Sequence, residues 1–325
     1  MKVKMSSYLK KIQCLFFAAI ILSFAACEKT EKDERIFPQA KEVINQNDSA
    51  TLHFFVLSDW GFSGANAQIP VANQMAEMSK YLGIDFILTC GDNFQVAGVT
   101  STGDPLWQSN FVNIYSDSAL LVPWYPALGN HDYMGNPEAE VAYSSSSKYW
   151  QMLSRYYTFV KKIDHATSAR FIVLDTPDLI SSYQKLTNKA NYSTIVQFAW
   201  LKTLLSYAQE KWIFVTGHHP VYSASTYHGD TEELKVMLKP LFDTYHVDFY
   251  ISGHDHHFEH TKDIAQHTEY IVTGTGGAPR EAWYNSRTIF AMSKAGLTYV
   301  SVLPDTAKLY FIISNGELGY SFTMK

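Results

Sequence analysis

An α/β fold is predicted for this 325-residue chain by three features of its sequence. Short apolar runs rich in β-branched and aromatic residues alternate with longer amphipathic segments, which is the pattern of packed strand and helix layers. Glycine or aspartate stops most of the short runs. Residues of metal-ligand type then come after those stops repeatedly, and in open α/β sheets the loops beyond the carboxyl ends of parallel strands form the binding crevice. At 46% hydrophobic and 18% charged, the composition is that of an ordinary globular protein with ample core. Length alone admits one large domain or two small ones.

The N-terminal residues stand apart. Lys2, Lys4, Lys10 and Lys11 precede an apolar run over 12–24 that ends in Ala25-Ala26-Cys27, so residues 1–26 read as a signal peptide. The run falls short of the ~20 residues that a membrane-spanning helix needs. A cysteine after two small residues resembles the lipobox of bacterial lipoproteins, with Phe24 standing where leucine is commonest. The plain alternative is an ordinary signal peptide with an incidental cysteine after it. On the lipoprotein reading, Cys27 carries the lipid, and the protein is exported and anchored to a bacterial membrane, periplasmic or at the cell surface. Residues 27–50 are polar and charged with little apolar periodicity and read as a tether, leaving 51–325 as a single domain. Of the 3 cysteines, Cys14 lies in the leader and only Cys90 belongs to the domain, so no intramolecular disulfide framework is available.

Within the domain, strands are expected at 51–58, 84–90, 124–128, 171–174, 212–216 and 248–252. A helix is expected over 69–82, where Val71, Met75, Met78 and Leu82 recur at helical spacing and Gly83 supplies a stop. Residues 194–210 and 231–245 repeat that period, with Pro240 expected to kink or divide the second. The tail over 297–323 reads as three strands turned at Pro304-Asp305 and Asn315-Gly316. The serines over 144–147 read as a solvated loop.

The residues just past the strand ends carry the chemistry. Asp59 comes after FFVLS, Gly91-Asp92 after FILTC, and Gly129-Asn130-His131 after WYPAL. Gly217-His218 comes after WIFVT, and Gly253-His254-Asp255-His256 after DFYIS. The glycines permit tight turns and close backbone approach. Singly, each residue has a plain explanation: a helix cap for Asp59, Asx-turns for Asp92 and Asn130, packing or surface roles for the histidines. Jointly, Asp59, Asp92, Asn130, His218, His254 and His256 supply the mixed oxygen and nitrogen ligands that suit Mn, Fe or Zn. A net charge of -5 and a pI near 6.2 leave no broad basic surface, so no nucleic acid duplex is expected as a partner. Small anions remain open, because a metal site brings its own positive charge.

The segments SDWG (58–61), GDNF (91–94), PWYPALGNHD (123–132), TGHHPVYS (216–223), HGD (228–230), SGHDHH (252–257) and VTGTGG (272–277) resemble the calcineurin-like metallophosphoesterases. Within these they resemble the mammalian-type purple, or tartrate-resistant, acid phosphatases, over nearly all of 51–325. The resemblance implies a four-layer α/β/β/α sandwich with two mixed β-sheets, and two metal ions per subunit, expected to be divalent. Asp59 and His256 match ligands of the first metal, Asn130, His218 and His254 those of the second, and Asp92 the bridge. The implied reaction is hydrolysis of phosphate monoesters by a metal-bound hydroxide, with His131 and His228 contacting the phosphoryl group and protonating the leaving alcohol. Asp255 is expected to orient a ligand histidine. The partner implied is a small phosphorylated substrate, and the protein is expected to be a monomer. A phosphodiesterase or nucleotide pyrophosphatase is the near rival, and a degenerate, non-catalytic binding lipoprotein the distant one.

One position departs from that pattern. Purple acid phosphatases carry a metal-binding tyrosine where this sequence has Gln95, and Gly61 rules out the alternative DxH arrangement. The expectation is a thinner first site, with Gln95 as a possible extra metal contact, a colourless enzyme using divalent Fe, Mn or Zn, and a less acidic optimum. Trp60, Phe94, Tyr133 and Tyr222 lie near the motifs and either pack or shape specificity. His53, His165, His246, His257, His260 and His267 match no motif and are read as structural or surface residues. The leader reading predicts a mature chain that begins at lipid-modified Cys27. Mass spectrometry of the N-terminal peptide checks it, and an unmodified first residue other than Cys27 would overturn it.

Overall fold

Two mixed sheets form the centre of the computed structural model, which describes residues 37–44, 52–187 and 194–325. In the first, β1 (Leu52–Leu57), β2 (Phe86–Thr89) and β3 (Trp124–Pro126) run parallel. Antiparallel β11 (Gly296–Val302), β12 (Ala307–Ile313) and β13 (Leu318–Met324) extend it in the order β13-β12-β11-β1-β2-β3. In the second, β5 (Ser168–Val173), β6 (Trp212–Thr216), β7 (Phe249–Ser252) and β9 (Glu269–Thr273) are parallel. The antiparallel strands β4 (Tyr157–Lys162), β8 (Phe258–Thr261) and β10 (Thr288–Met292) complete the order β10-β8-β9-β7-β6-β5-β4.

Aromatic rings lock the sheets face to face. Phe54 of β1 stacks on Phe86 of β2 at 4.8 Å and meets Phe171 of β5 and Phe214 of β6 edge-on at 5.2 and 5.5 Å. Phe55, one residue on, points to the other face, beside Tyr299, as the two-residue strand period requires. Helices cover the outer faces. The stripe Val71, Met75 and Met78 of the helix Gln68–Leu82 is buried with the first sheet. Leu201 and Leu205 of Thr194–Tyr207, with Leu234, Leu238 and Phe242 of Glu232–Tyr245, are buried with Ile172, Val215 and Tyr250 of the second. The result is the four-layer α/β/β/α sandwich.

Each expected strand and helix is present, with its ends shifted by a few residues. Gly83 ends the first helix with φ of 71°. The helix Glu232–Tyr245 runs through Pro240 undivided. The carbonyl deprived of a donor belongs to Val236, an exposed residue, where water can serve it. The tail forms the three expected strands, closed by Leu303 N–H to Thr306 and Ile313 N–H to Glu317. Strands β4, β8, β9 and β10 lie outside the sequence expectation. β8 reads FEHT and is wholly buried, which a hydrophobic pattern cannot signal. Glu259 accepts from the Ala224 amide and from Thr261 and Thr288, and His260 sits between Tyr320 and Glu269.

The expected signal peptide 1–26, the expected lipid site Cys27 and most of the expected tether lie outside the described residues. Where the segment 27–50 is described, it is docked. The Ala40 amide bonds Gly316 O, the Leu318 amide bonds Pro38 O, and Ala40 and Ile44 are buried. Two apolar anchors in a polar stretch are too few to raise a periodic signal.

Candidate metal centre

The ligand-type residues converge because the strands stop abruptly in backbone conformations that turn side chains across the sheet edge. Asp59, Asp92 and His254 all have positive φ, at 55°, 48° and 68°, a region costly for residues other than glycine. Glycines let the turns close. A Cβ at Gly253 would lie 1.9 Å from Ser58 Oγ, and one at Gly129 would lie 2.1 Å from Asp92 Oδ1. The two loops can meet only with hydrogen at those positions.

Two imidazoles are then aimed by the backbone. His218 Nδ1 lies 2.8 Å from Cys90 O and His256 Nδ1 lies 2.7 Å from Ala278 O. A carbonyl only accepts, so in each ring Nδ1 carries the proton, and a neutral ring presents the Nε2 lone pair. That lone pair of His218 faces Asn130 Oδ1 at 3.1 Å, Asp92 Oδ2 at 3.4 Å and His254 Nδ1 at 3.2 Å. That of His256 faces Asp59 Oδ1 at 3.2 Å. With neutral rings these are acceptors facing acceptors in a buried place, a conflict that a proton on Nε2 or a bound cation relieves. Ligand atoms of Asp59, Asp92 and His218 lie within 4.8 Å of one another, so the donor set fits a metal ion.

The electrostatics carry the same demand. Burial opposes ionisation of Asp59, yet the neighbouring His256 and His218 hold its carboxyl far below the usual range. Burial disfavours charge on His218, but Asp92 and Asp59 lift it to about 9, and Asp59 likewise raises His256 against its burial. Burial, then the surrounding histidines, push His254 well down. Beneath the centre, burial and the Asp92 charge raise Asp132 to about 7.

The remaining candidates flank this core. The His131 amide donates to Asp92 Oδ1 at 2.9 Å, and its ring is partly exposed. His228 Nδ1 lies 2.9 Å from Asp255 Oδ1, and its ring stacks on His254 at 4.0 Å. Asp255 therefore orients His228, and not a ligand histidine as expected; His228 sits on a loop that the sequence leaves unplaced. Gln95 is buried, and its Oε1 has no hydrogen-bond partner among the described residues. Trp60, Phe94 and Tyr222 are buried packing residues, while the Tyr133 hydroxyl donates to Asp175.

Three residues of the centre escape sequence reasoning. Asn93, inside GDNF, accepts from Thr89 and Trp60 and donates to Ala127 O and Glu140. Asp132, inside GNHD, accepts from the amides of Gly129, Asn93 and Phe94. The third is His219, signalled only by the GHH doublet, whose ring nitrogen lies within 4.8 Å of those of His218 and His254. Thr176 Oγ1 accepts from the amides of His218 and His219, each at 3.1 Å. Both of its lone pairs are then used, so its proton goes to His219 Nδ1 at 2.9 Å, and Nε2 keeps the ring proton. His219 is thereby a donor facing the cluster and not a further ligand.

The chain is similar to several known proteins. The calcineurin-like phosphoesterase profile matches residues 52–258. Tartrate-resistant acid phosphatase type 5 of Mus musculus is 32% identical over 292 residues, 82% of this chain and 88% of that protein. Purple acid phosphatase 3 of Arabidopsis thaliana is 32% identical over 285 residues, 84% and 74% of the two chains. Among solved structures, GAP50, the anchor in the inner membrane complex of Plasmodium, superposes with a TM-score of 0.76 at 28% identity, over 85% of this chain and 89% of that one.

The hydrogen-bond count at Thr176 predicts an Nε2–H tautomer for His219, readable in ¹⁵N-histidine spectra. His219→Asn is expected to leave the bound metal content unchanged, whereas His254→Asn lowers it. A matching loss of metal in both variants would make His219 a ligand.

Proposed function

The chain belongs to the calcineurin-like phosphoesterase family and groups with the tartrate-resistant and purple acid phosphatases, and from that premise we propose that it hydrolyses phosphate monoesters outside the cytoplasm. One observation carries the reading: two backbone-oriented imidazoles turn Nε2 toward buried carboxylate and amide oxygens, a donor set that suits a metal ion. Asp59, Asp92 and His256, with the Gln95 carbonyl oxygen, would hold a first metal. Asp92, Asn130, His218 and His254 would hold a second, with Asp92 shared. When bound, such a pair supplies charge that neutralises phosphoryl oxygens and lowers the pKa of a water to the neutral range.

The chain's own groups do the rest. Asp255 fixes Nδ1 of His228, which leaves Nε2 to hand a proton to the departing alcohol oxygen. His131, held through its amide by Asp92, turns a partly exposed ring toward the phosphoryl group. His219 Nε2, buried and without a hydrogen-bond partner among the described residues, adds a donor. Gln95 offers a neutral oxygen where a phenolate stands in the purple enzymes, so divalent Fe, Mn or Zn suits the first position better than ferric iron. Export on a lipid anchor at Cys27, monomeric behaviour and a phosphate-scavenging role complete the proposal.

A non-catalytic binding role has a specific observation on its side, the likeness to GAP50, described as an anchor. Turnover decides between them. With Mn, Fe or Zn supplied, p-nitrophenyl phosphate is expected to be cleaved faster than bis(p-nitrophenyl) phosphate. Asp92→Asn should cost about 100-fold or more in rate, together with loss of metal. Faster diester cleavage would favour the phosphodiesterase reading, and no cleavage with any metal would favour the binding role. The metal-replete protein is expected to be colourless, while Gln95→Tyr introduces a visible charge-transfer band; a band in the unmodified protein would contradict the Gln95 assignment.

A further inference from the structure

Beside the centre lies an arginine that forms no ion pair among the described residues. Arg155 pairs with Asp175, Arg170 with Glu210 and Arg287 with Asp230. Arg280 forms no ion pair among the described residues. Its backbone amide donates to His256 O at 2.6 Å, which ties it to the loop bearing a ligand histidine of the first metal. Its guanidinium carbon lies 5.3 Å above the ring of Tyr227, and Tyr227 directly precedes His228, the candidate acid. Arg280 and Tyr227 are both exposed. Arg280 therefore stands between the loop of His256 and the loop of His228.

This placement matters for its chemistry. An arginine resting on an aromatic face is held in place, so less rotamer freedom is lost when its N–H edge engages a ligand. That edge matches the geometry of a carboxylate or phosphate. In a protein of net charge -5, an unpaired arginine beside the reaction centre favours anions there. The Tyr227 loop is also firmly seated: Asp230 accepts from both Arg287 and the Ser223 amide, and the Ser225 hydroxyl accepts from the Tyr227 amide.

We propose that Arg280, supported on Tyr227, binds a second anionic group on the alcohol portion of the substrate, so that the preferred substrates are short organic phosphates bearing another anion. This rests on the phosphatase reading above. Substrates lacking the second anion still reach the metals but forgo this contact.

The test compares 3-phosphoglycerate with glycerol 3-phosphate in the metal-loaded full chain, since the pair differs by one carboxylate at the far end. The unmodified protein is expected to show a KM about tenfold lower for 3-phosphoglycerate. Arg280→Ala should shrink that ratio toward one, chiefly through KM, and Arg280→Lys should retain part of it. Tyr227→Leu, which keeps the charge but removes its support, should give an intermediate ratio. If both compounds turn over with equal KM, or if Arg280→Ala leaves the ratio intact, the anion site is rejected while the phosphatase reading stands. If neither this pair nor p-nitrophenyl phosphate is cleaved, it is the phosphatase reading that fails.

Discussion

The edges of two sheets approach more closely here than side chains would allow. The end of β1 at Ser58 and the end of β7 at Gly253 leave no room for a Cβ between them, and Gly129 is pressed as tightly on Asp92. With that contact made, Asp59 reaches the His254 amide at 2.9 Å, and the two sheets contribute to one centre. Without it, the ligands from β1 and β2 would be separated from those of β6 and β7. The price of the approach is backbone strain at Asp59, Asp92 and His254, of order 1–3 kcal/mol each for non-glycine residues held at positive φ.

The surroundings stabilise that strain through satisfied polar groups. Asp132 accepts from the backbone amides of Gly129, Asn93 and Phe94, and the Asn93 side chain joins Thr89, Trp60, Ala127 and Glu140, so the two knit the ends of β1, β2 and β3 together. Above, Glu259 and Asp230 hold the loop that carries Tyr227 and His228. The aromatic layer around Phe54 fixes the spacing of the sheets. Rigid packing below and a pinned loop above leave the metal-facing atoms as the place where like meets like. That is the condition under which a cation is bound strongly.

Much of the fold is legible in the sequence, and the gaps have physical causes. The strands ending in ligands announce themselves, because each is an apolar run cut off by a polar residue. β8 does not, because its Glu259 and His260 are buried against polar partners from other segments, Ala224 and Thr288 for the first and Tyr320 and Glu269 for the second, and break any hydrophobic period. β4 does not, because it is an edge strand with a half-exposed pattern. The docking of residues 37–44 rests on Ala40, Ile44 and a few backbone bonds, too sparse to register in composition. At the centre the six ligand candidates are legible by type and position, whereas His219 is hidden: its meaning depends on Thr176, a residue far away in the chain.

By itself the sequence determined the kinds of ligand, the order in which strands present them, and the absence of a tyrosine beside Asp92. These are properties of residue identity and of local period. The tertiary structure decided which atoms face one another: the carbonyls that orient His218 and His256, the partner of Asp255, the tautomer of His219 and the station of Arg280 above Tyr227. Those are distances between segments remote in sequence. They are set by how two sheets pack and how closely glycine lets their edges come, quantities that no one-dimensional pattern contains.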